Sequence, residues 1–209
     1  MSSVSLPRLV VASANRHKLD ELRSLLEPRG LIIVSQTELG IDSAEETAST
    51  FAGNALLKAR HAATQSGHWA LADDSGICVA ALNGAPGVYS ARFAGIGATD
   101  QENNHKLIST LQAYPQPCEA HYTACLVLVS PVASREPIVA TANWHGHLIA
   151  TPRGVQGFGY DPYFVPAGQT RTAAEFSAAE KNSQSHRAQA LARLLALWPD
   201  DITLSNQAR

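Results

Sequence analysis

The chain is poor in sulfur and carries almost no charge excess. Its three cysteines, Cys78, Cys118 and Cys125, are odd in number and form no C-x-x-C pair. Neither a disulfide framework nor a cysteine zinc site follows from that spacing. Cys78 and Cys125 fall in apolar, strand-like runs, where a thiol serves as a small core side chain. Lysine and arginine number 16 against 18 aspartates and glutamates, for a formal net charge of −2. No basic block occurs, which argues against a nucleic-acid polymer as the main partner, because backbone phosphates draw on clustered cations. Long apolar runs are missing too: none approaches the ~18 residues of a membrane span, and Met1 to Arg8 holds no apolar signal core. A soluble, cytoplasmic protein with no membrane partner is expected. The G-x-x-x-x-G-K pattern of a P-loop is absent, as are internal repeats and linkers.

What is present is enough apolar residue, 45% of 209, to bury an ordinary core. One compact domain is expected, with room for two lobes, and the tail from about Pro199 reads as a short flexible end. Leu9 to Ala12 reads as a buried strand, followed by a helix with Leu19, Leu22, Leu25 and Leu26 on one face. Gly30 would close that helix, and Leu31 to Val34 is the next strand. Asp42 to Thr50 is an acidic loop leading into a helix from about Thr50 to His68, in which Asn54 and Lys58 share a face. Thr99 to Leu111 reads as a helix. His121 to Val129 and Pro137 to Trp144 read as strands that pair as a hairpin. Gly154 to Pro166 is a glycine- and aromatic-rich functional loop, and Ser185 to Trp198 a final helix. Alternating strands and helices followed by a strand-rich middle imply an α/β fold with a mixed sheet.

Several segments carry chemistry. Asp73-Asp74 follows the apolar run Ala70-Leu71-Ala72 and precedes Ser75-Gly76. Successive side chains in extended backbone point to opposite faces, so one carboxylate can meet a ligand while the other fixes the local backbone. Ala70-Leu71-Ala72 reads as a short buried strand that ends at the two aspartates, with Ile77 to Leu82 as another apolar run after Gly76, and the plainer reading of the tetrapeptide is an acidic loop opening a turn. Magnesium commonly takes one or two carboxylates plus phosphate oxygens and water, and Glu45 or Glu46 could supply the second carboxylate. A solvated acidic pair is the alternative. Ser13-Ala14-Asn15-Arg16-His17-Lys18 joins a strand to a helix, where free N–H groups and the helix dipole favour an anion. In Gly157-Phe158-Gly159-Tyr160-Asp161-Pro162 a ring between two glycines can stack on a flat ligand or pack in the core. Ser185-His186-Arg187 either caps its helix or offers donors to a base or phosphate.

These motifs, in this order, together with Phe51-Ala52-Gly53-Asn54-Ala55, Lys58 and Gly84-Ala85-Pro86-Gly87-Val88-Tyr89-Ser90-Ala91-Arg92, resemble the non-canonical purine nucleoside-triphosphate pyrophosphatase family, also called inosine or xanthosine triphosphate pyrophosphatases. The resemblance covers nearly the whole chain. It implies two lobes around a long, curved mixed sheet flanked by helices, an active site in the cleft between lobes, and a homodimer. It also implies magnesium-assisted hydrolysis of ITP, dITP and XTP to the monophosphate and pyrophosphate, which clears deaminated purines from the nucleotide pool.

By position, Asp74 matches the metal ligand and proton acceptor, and Glu45 or Glu46 the second acidic metal site. The loop Ser13, Ala14, Asn15, Arg16, His17 and Lys18 matches the triphosphate holder, with Lys58 and Ser75 at neighbouring phosphate-side positions. Phe158 matches the ring that stacks on the purine. Lys181, His186 and Arg187 match the base-reading group, and Gly159, Tyr160 and Asp161 complete its wall. One departure stands out. The family's usual Thr-Gly-Asn is Ser13-Ala14-Asn15, so Ala14 must take an ordinary backbone conformation or carry strain. Two rivals are a haloacid-dehalogenase-type phosphatase, whose Asp-x-Asp is missing from Asp73-Asp74-Ser75, and a non-catalytic sensor of purine triphosphates.

Overall fold

The computed structural model describes residues 8–199 and 202. The expected flexible tail falls outside them, apart from Pro199 and Ile202. The strands are β1 (Arg8–Val11), β2 (Ile32–Ser35), β3 (Trp69–Val79), β4 (Cys118–Val129), β5 (Ile138–Leu148) and β6 (Phe164–Pro166). They form one six-stranded sheet in the order β2-β1-β3-β4-β5-β6. β1 runs parallel to β2 and β3, and β5 antiparallel to β6, so the sheet is mixed and the fold is α/β. The helices are α1 (Arg16–Leu26), α2 (Phe51–Ser66), α3 (Asp100–Leu111), α4 (Ala178–Gln184) and α5 (His186–Leu195).

The chain divides into two compact units. Unit 1 comprises residues 1–74, 125–141 and 190–209; unit 2 comprises 75–124 and 142–189. Unit 1 buries Val10, Ala12, Ala70 and Ala72 against Ala55, Ala59, Ala62 and Ala63 of α2. Small side chains at 55, 59, 62 and 63 give α2 an apolar stripe at helical spacing. Unit 2 has its own core, in which Leu107 and Leu111 of α3 meet Tyr122, Trp144, Phe164 and Phe176.

The caps explain several boundaries. Thr50 caps α2 through the Gly53 N–H, and Thr99 and Glu102 form a reciprocal capping box on α3. Both helices therefore start one residue after the threonine that opens their expected spans. β4 and β5 are sheet neighbours, as the hairpin reading requires, and both are longer than expected. Gly30 closes a 3-10 turn, Glu27–Arg29, that follows α1 rather than α1 itself. The short α4 is a separate helix ahead of the last one, and Ser185 ends it. All three cysteines are free, with Cys118 and Cys125 buried and Cys78 only half-buried.

One expectation is overturned. Asp73-Asp74-Ser75-Gly76 is not a turn between two strands; β3 runs through it for 11 residues without a break. Gly76 invites the turn reading but serves close approach, because a Cβ there would collide with the Gly87 carbonyl and the Ser90 hydroxyl. The Ser90 hydroxyl accepts the Ile77 N–H at 2.9 Å and donates to the Gly87 carbonyl at 2.6 Å.

Candidate functional site

In unit 1, β3 presents its two aspartates in mid-strand, both buried, at 1% exposure for Asp73 and 5% for Asp74. Lys58, on α2, donates to Asp74 Oδ1 at 2.9 Å, to Glu46 Oε1 at 2.8 Å and to the Asp73 carbonyl at 3.0 Å. Asn54, one turn earlier, donates to Asp74 Oδ2 at 3.4 Å. Lys18 Nζ lies 3.8 Å from Asp73 Oδ1. The structure therefore distinguishes the two glutamates: Glu46 joins Asp74 on one ammonium, while Glu45 is exposed.

The electrostatics of this cluster are lopsided. Burial pushes the Asp74 carboxyl up, the Lys58 ammonium pulls it down, and Glu46 adds to the upward push. For Lys58, burial favours loss of the proton, yet Asp74 and Glu46 together outweigh it and the ammonium is held above its ordinary value. One lysine serves two carboxylates, so it is the better satisfied partner and a carboxylate excess remains. Among the described residues no group of three or more His, Cys, Asp and Glu could by itself hold a metal ion. A two-carboxylate share suits magnesium, which takes its remaining ligands from phosphate and water.

The strand-to-helix loop is held by its own side chains. Asn15 caps α1 by accepting the Lys18 N–H at 3.2 Å, and its own N–H donates to Ser13 Oγ at 3.1 Å. Arg16 and His17 are exposed, Lys18 half-buried. Ala14 escapes strain, since Asn83 is the only non-glycine residue at positive φ among the described residues.

Unit 2 gathers the residues of the aromatic loop and the α4–α5 junction. Asp161 Oδ2 accepts from Lys181 Nζ at 2.6 Å and from the Phe158 N–H at 3.0 Å. Lys181 Nζ lies 4.6 Å from the Phe158 ring centre and the Arg187 guanidinium 5.8 Å from it. Arg187, 1% exposed, donates to Ser75 Oγ at 3.1 Å. Burying a guanidinium is costly without hydrogen bonds or an anion, and the Ser75 hydroxyl meets part of that need here. Phe158 itself is half-buried.

Some contributors had no clear sequence signal. Tyr122 stacks on the His186 ring at 4.7 Å and 8°. Burial, reinforced by the Asp161 carboxylate, holds its phenol far above the ordinary value and therefore protonated. On α3, Asp100 accepts the Gly159 N–H at 2.7 Å and Asn104 donates to the Gly159 carbonyl at 2.8 Å. Nothing but the fold brings residues some 55 positions apart together. Tyr160 is put to structural use: it lies in the unit 2 core and donates its hydroxyl to the Ser90 carbonyl at 2.8 Å.

The Ham1 family model matches residues 9–197. The chain belongs to the Ham1 family. A Ham1 relative from Ralstonia nicotianae, named dITP/XTP pyrophosphatase, is 51% identical over 191 residues, which is 90% of this chain and 94% of that one. One of the same name from Nitrosomonas europaea is 46% identical over 94% of this chain and 97% of its own. Among solved structures, a HAM1 protein from Coxiella burnetii superposes with a TM-score of 0.84 at 44% identity, covering 92% of this chain and 98% of that one. A nucleoside-triphosphatase, dITP/XTP pyrophosphatase, from Mycobacterium abscessus does so with a TM-score of 0.71 at 41% identity, covering 90% and 98%. The matched Ham1 region contains every candidate site residue from Ser13 to Arg187.

Proposed function

We propose that this chain is a nucleoside-triphosphate pyrophosphatase, a single two-lobed catalytic domain that hydrolyses ITP, dITP and XTP to the monophosphate and pyrophosphate. What carries the reading is the convergence of Asp74 and Glu46 on one half-buried cation, Lys58, in a Ham1 chain. Phosphoryl chemistry asks for positioning and charge stabilisation more than for covalent participation. Asp74 and Glu46 would hold magnesium, which when bound neutralises phosphate charge and acidifies water. Asp74 orients the attacking water toward the α-phosphorus and accepts its proton. Lys58, Lys18, Ser13 and the N–H groups of the 13–18 loop hold the triphosphate, and Ser75 is a further phosphate-side residue.

In unit 2, Lys181, Arg187 and His186 present donors to the 6-keto oxygen of hypoxanthine or xanthine, and Phe158 stacks on the base. Adenine turns an amino group toward those donors, and a hydrogen-bonding mismatch of that kind can discriminate by as much as ~10⁴-fold. Asp161 holds Lys181 and the Phe158 backbone in place for this task. A cytoplasmic homodimer completes the proposal, and sedimentation at the mass of one chain would argue against that part of it.

The test is product release from ITP, dITP, XTP, GTP and ATP, with and without magnesium. Magnesium-dependent pyrophosphate release, strongest for the deaminated nucleotides, is expected. Stepwise orthophosphate release would point to a phosphatase, and binding without turnover to a sensor.

A further inference from the structure

The two candidate metal carboxylates come from different places, Asp74 from β3 and Glu46 from a segment without regular structure, so something must hold that segment in register. It lies along α2. The Asp42 carbonyl meets His61 Nε2 at 2.9 Å, Glu46 meets Lys58 Nζ at 2.8 Å, and the Ala48 N–H donates to Asn54 Oδ1 at 2.9 Å. Positions 54, 58 and 61 are four and three apart and form one stripe of the helix.

Asn54 differs from the other two because it is fully buried, at 0% exposure, and uses both ends of its amide. The oxygen takes a loop N–H, while the nitrogen donates to Asp74 Oδ2 at 3.4 Å. A neutral amide is suited to this, being donor and acceptor at once without adding charge. The loop also rests directly on the first turn of α2, where a Cβ on Gly53 would stand 2.6 Å from the Ala48 Cβ.

We propose that Asn54 is a positioning residue that registers the Glu46 loop against Asp74, so that both carboxylates converge on one divalent cation. The proposal rests on the functional reading above. Without the amide, the Ala48 N–H and a buried Asp74 oxygen each lose a hydrogen-bond partner, and the loop loses its tie to the strand.

Two variants test it, Asn54→Ala, which cuts the tie, and Gly53→Ala, which lifts the loop while favouring the helix. Mn²⁺ serves as the probe, with affinity read by electron paramagnetic resonance without nucleotide, alongside ITP kinetics and thermal unfolding. Both variants are expected to weaken Mn²⁺ binding at least ~10-fold and to lower kcat similarly, with a smaller change in KM, as for other residues that orient metal ligands. A folded Asn54→Ala whose Mn²⁺ affinity and kcat match the unaltered chain overturns the proposal. If Asn54→Ala does not fold, unchanged Mn²⁺ affinity in Gly53→Ala overturns it instead. Weakened Mn²⁺ binding in variants of a chain that never hydrolyses ITP would overturn the functional reading and leave the positioning role of Asn54 standing.

Discussion

Asp74 bears two opposed influences, burial that favours its neutral acid and an ammonium that favours its carboxylate, and burial is the larger. A carboxyl held above its ordinary value is a better proton acceptor than a free aspartate, which suits a general base. Asp74→Asn keeps the shape and removes the charge. Its kcat should fall at least ~10²-fold, the usual scale for general-base loss, with the fold retained by circular dichroism. Near-normal turnover would take Asp74 out of the mechanism. For Arg187, buried and donating to Ser75, substitution by alanine should narrow the preference for ITP over ATP in kcat/KM. An equal fall for both substrates would make Arg187 a uniform phosphate or structural contact.

At the level of elements, α2 divides its labour between faces, with alanines to the core and Asn54, Lys58 and His61 to the acidic loop. Three capping boxes, Thr99 with Glu102, Thr172 with Glu175 and Ser177 with Glu180, start segments of unit 2. Each holds its glutamate carboxyl below the ordinary value. Glu180 is lowered furthest, to about 2, first by the Arg171 side chain and then by the Ser177 N–H. A carboxyl lowered on folding adds stability above its unfolded value, and that stability is lost as pH falls through the folded one. Glu180→Gln should therefore melt earlier than the unaltered chain at neutral pH, with the gap closing as pH falls toward about 2. A gap that stays constant with pH would assign the loss to packing rather than charge.

At the scale of the molecule, each unit has its own core, and the two cores respond to opposite changes. Leu107, fully buried in unit 2, should cost about 2–5 kcal/mol when cut to alanine, since the cavity can collapse only partly. Ala59, fully buried in unit 1 on the alanine face of α2, should tolerate enlargement poorly, with Ala59→Leu costing about 1–3 kcal/mol. Urea unfolding measures both, and a neutral Ala59→Leu would show spare room beneath α2.

The sequence by itself determined the elements whose signals are local. The helices that begin near Thr50 and Thr99 follow from apolar periodicity along short windows, and the α/β class follows from the order of periodic segments. It also carried the motifs that pointed to a phosphorylated purine, because those are short and ordered along the chain. Tertiary structure alone decided the rest. Whether Asp73-Asp74-Ser75-Gly76 bends or runs straight depends on Ser90 and Gly87 packing against Gly76, a contact no local pattern encodes. The choice between Glu45 and Glu46 depends on which side chain reaches Lys58 from an aperiodic loop. The parts played by Tyr122, Asp100 and Asn104 arise the same way, from long-range approach across sequence distances that composition and periodicity do not span.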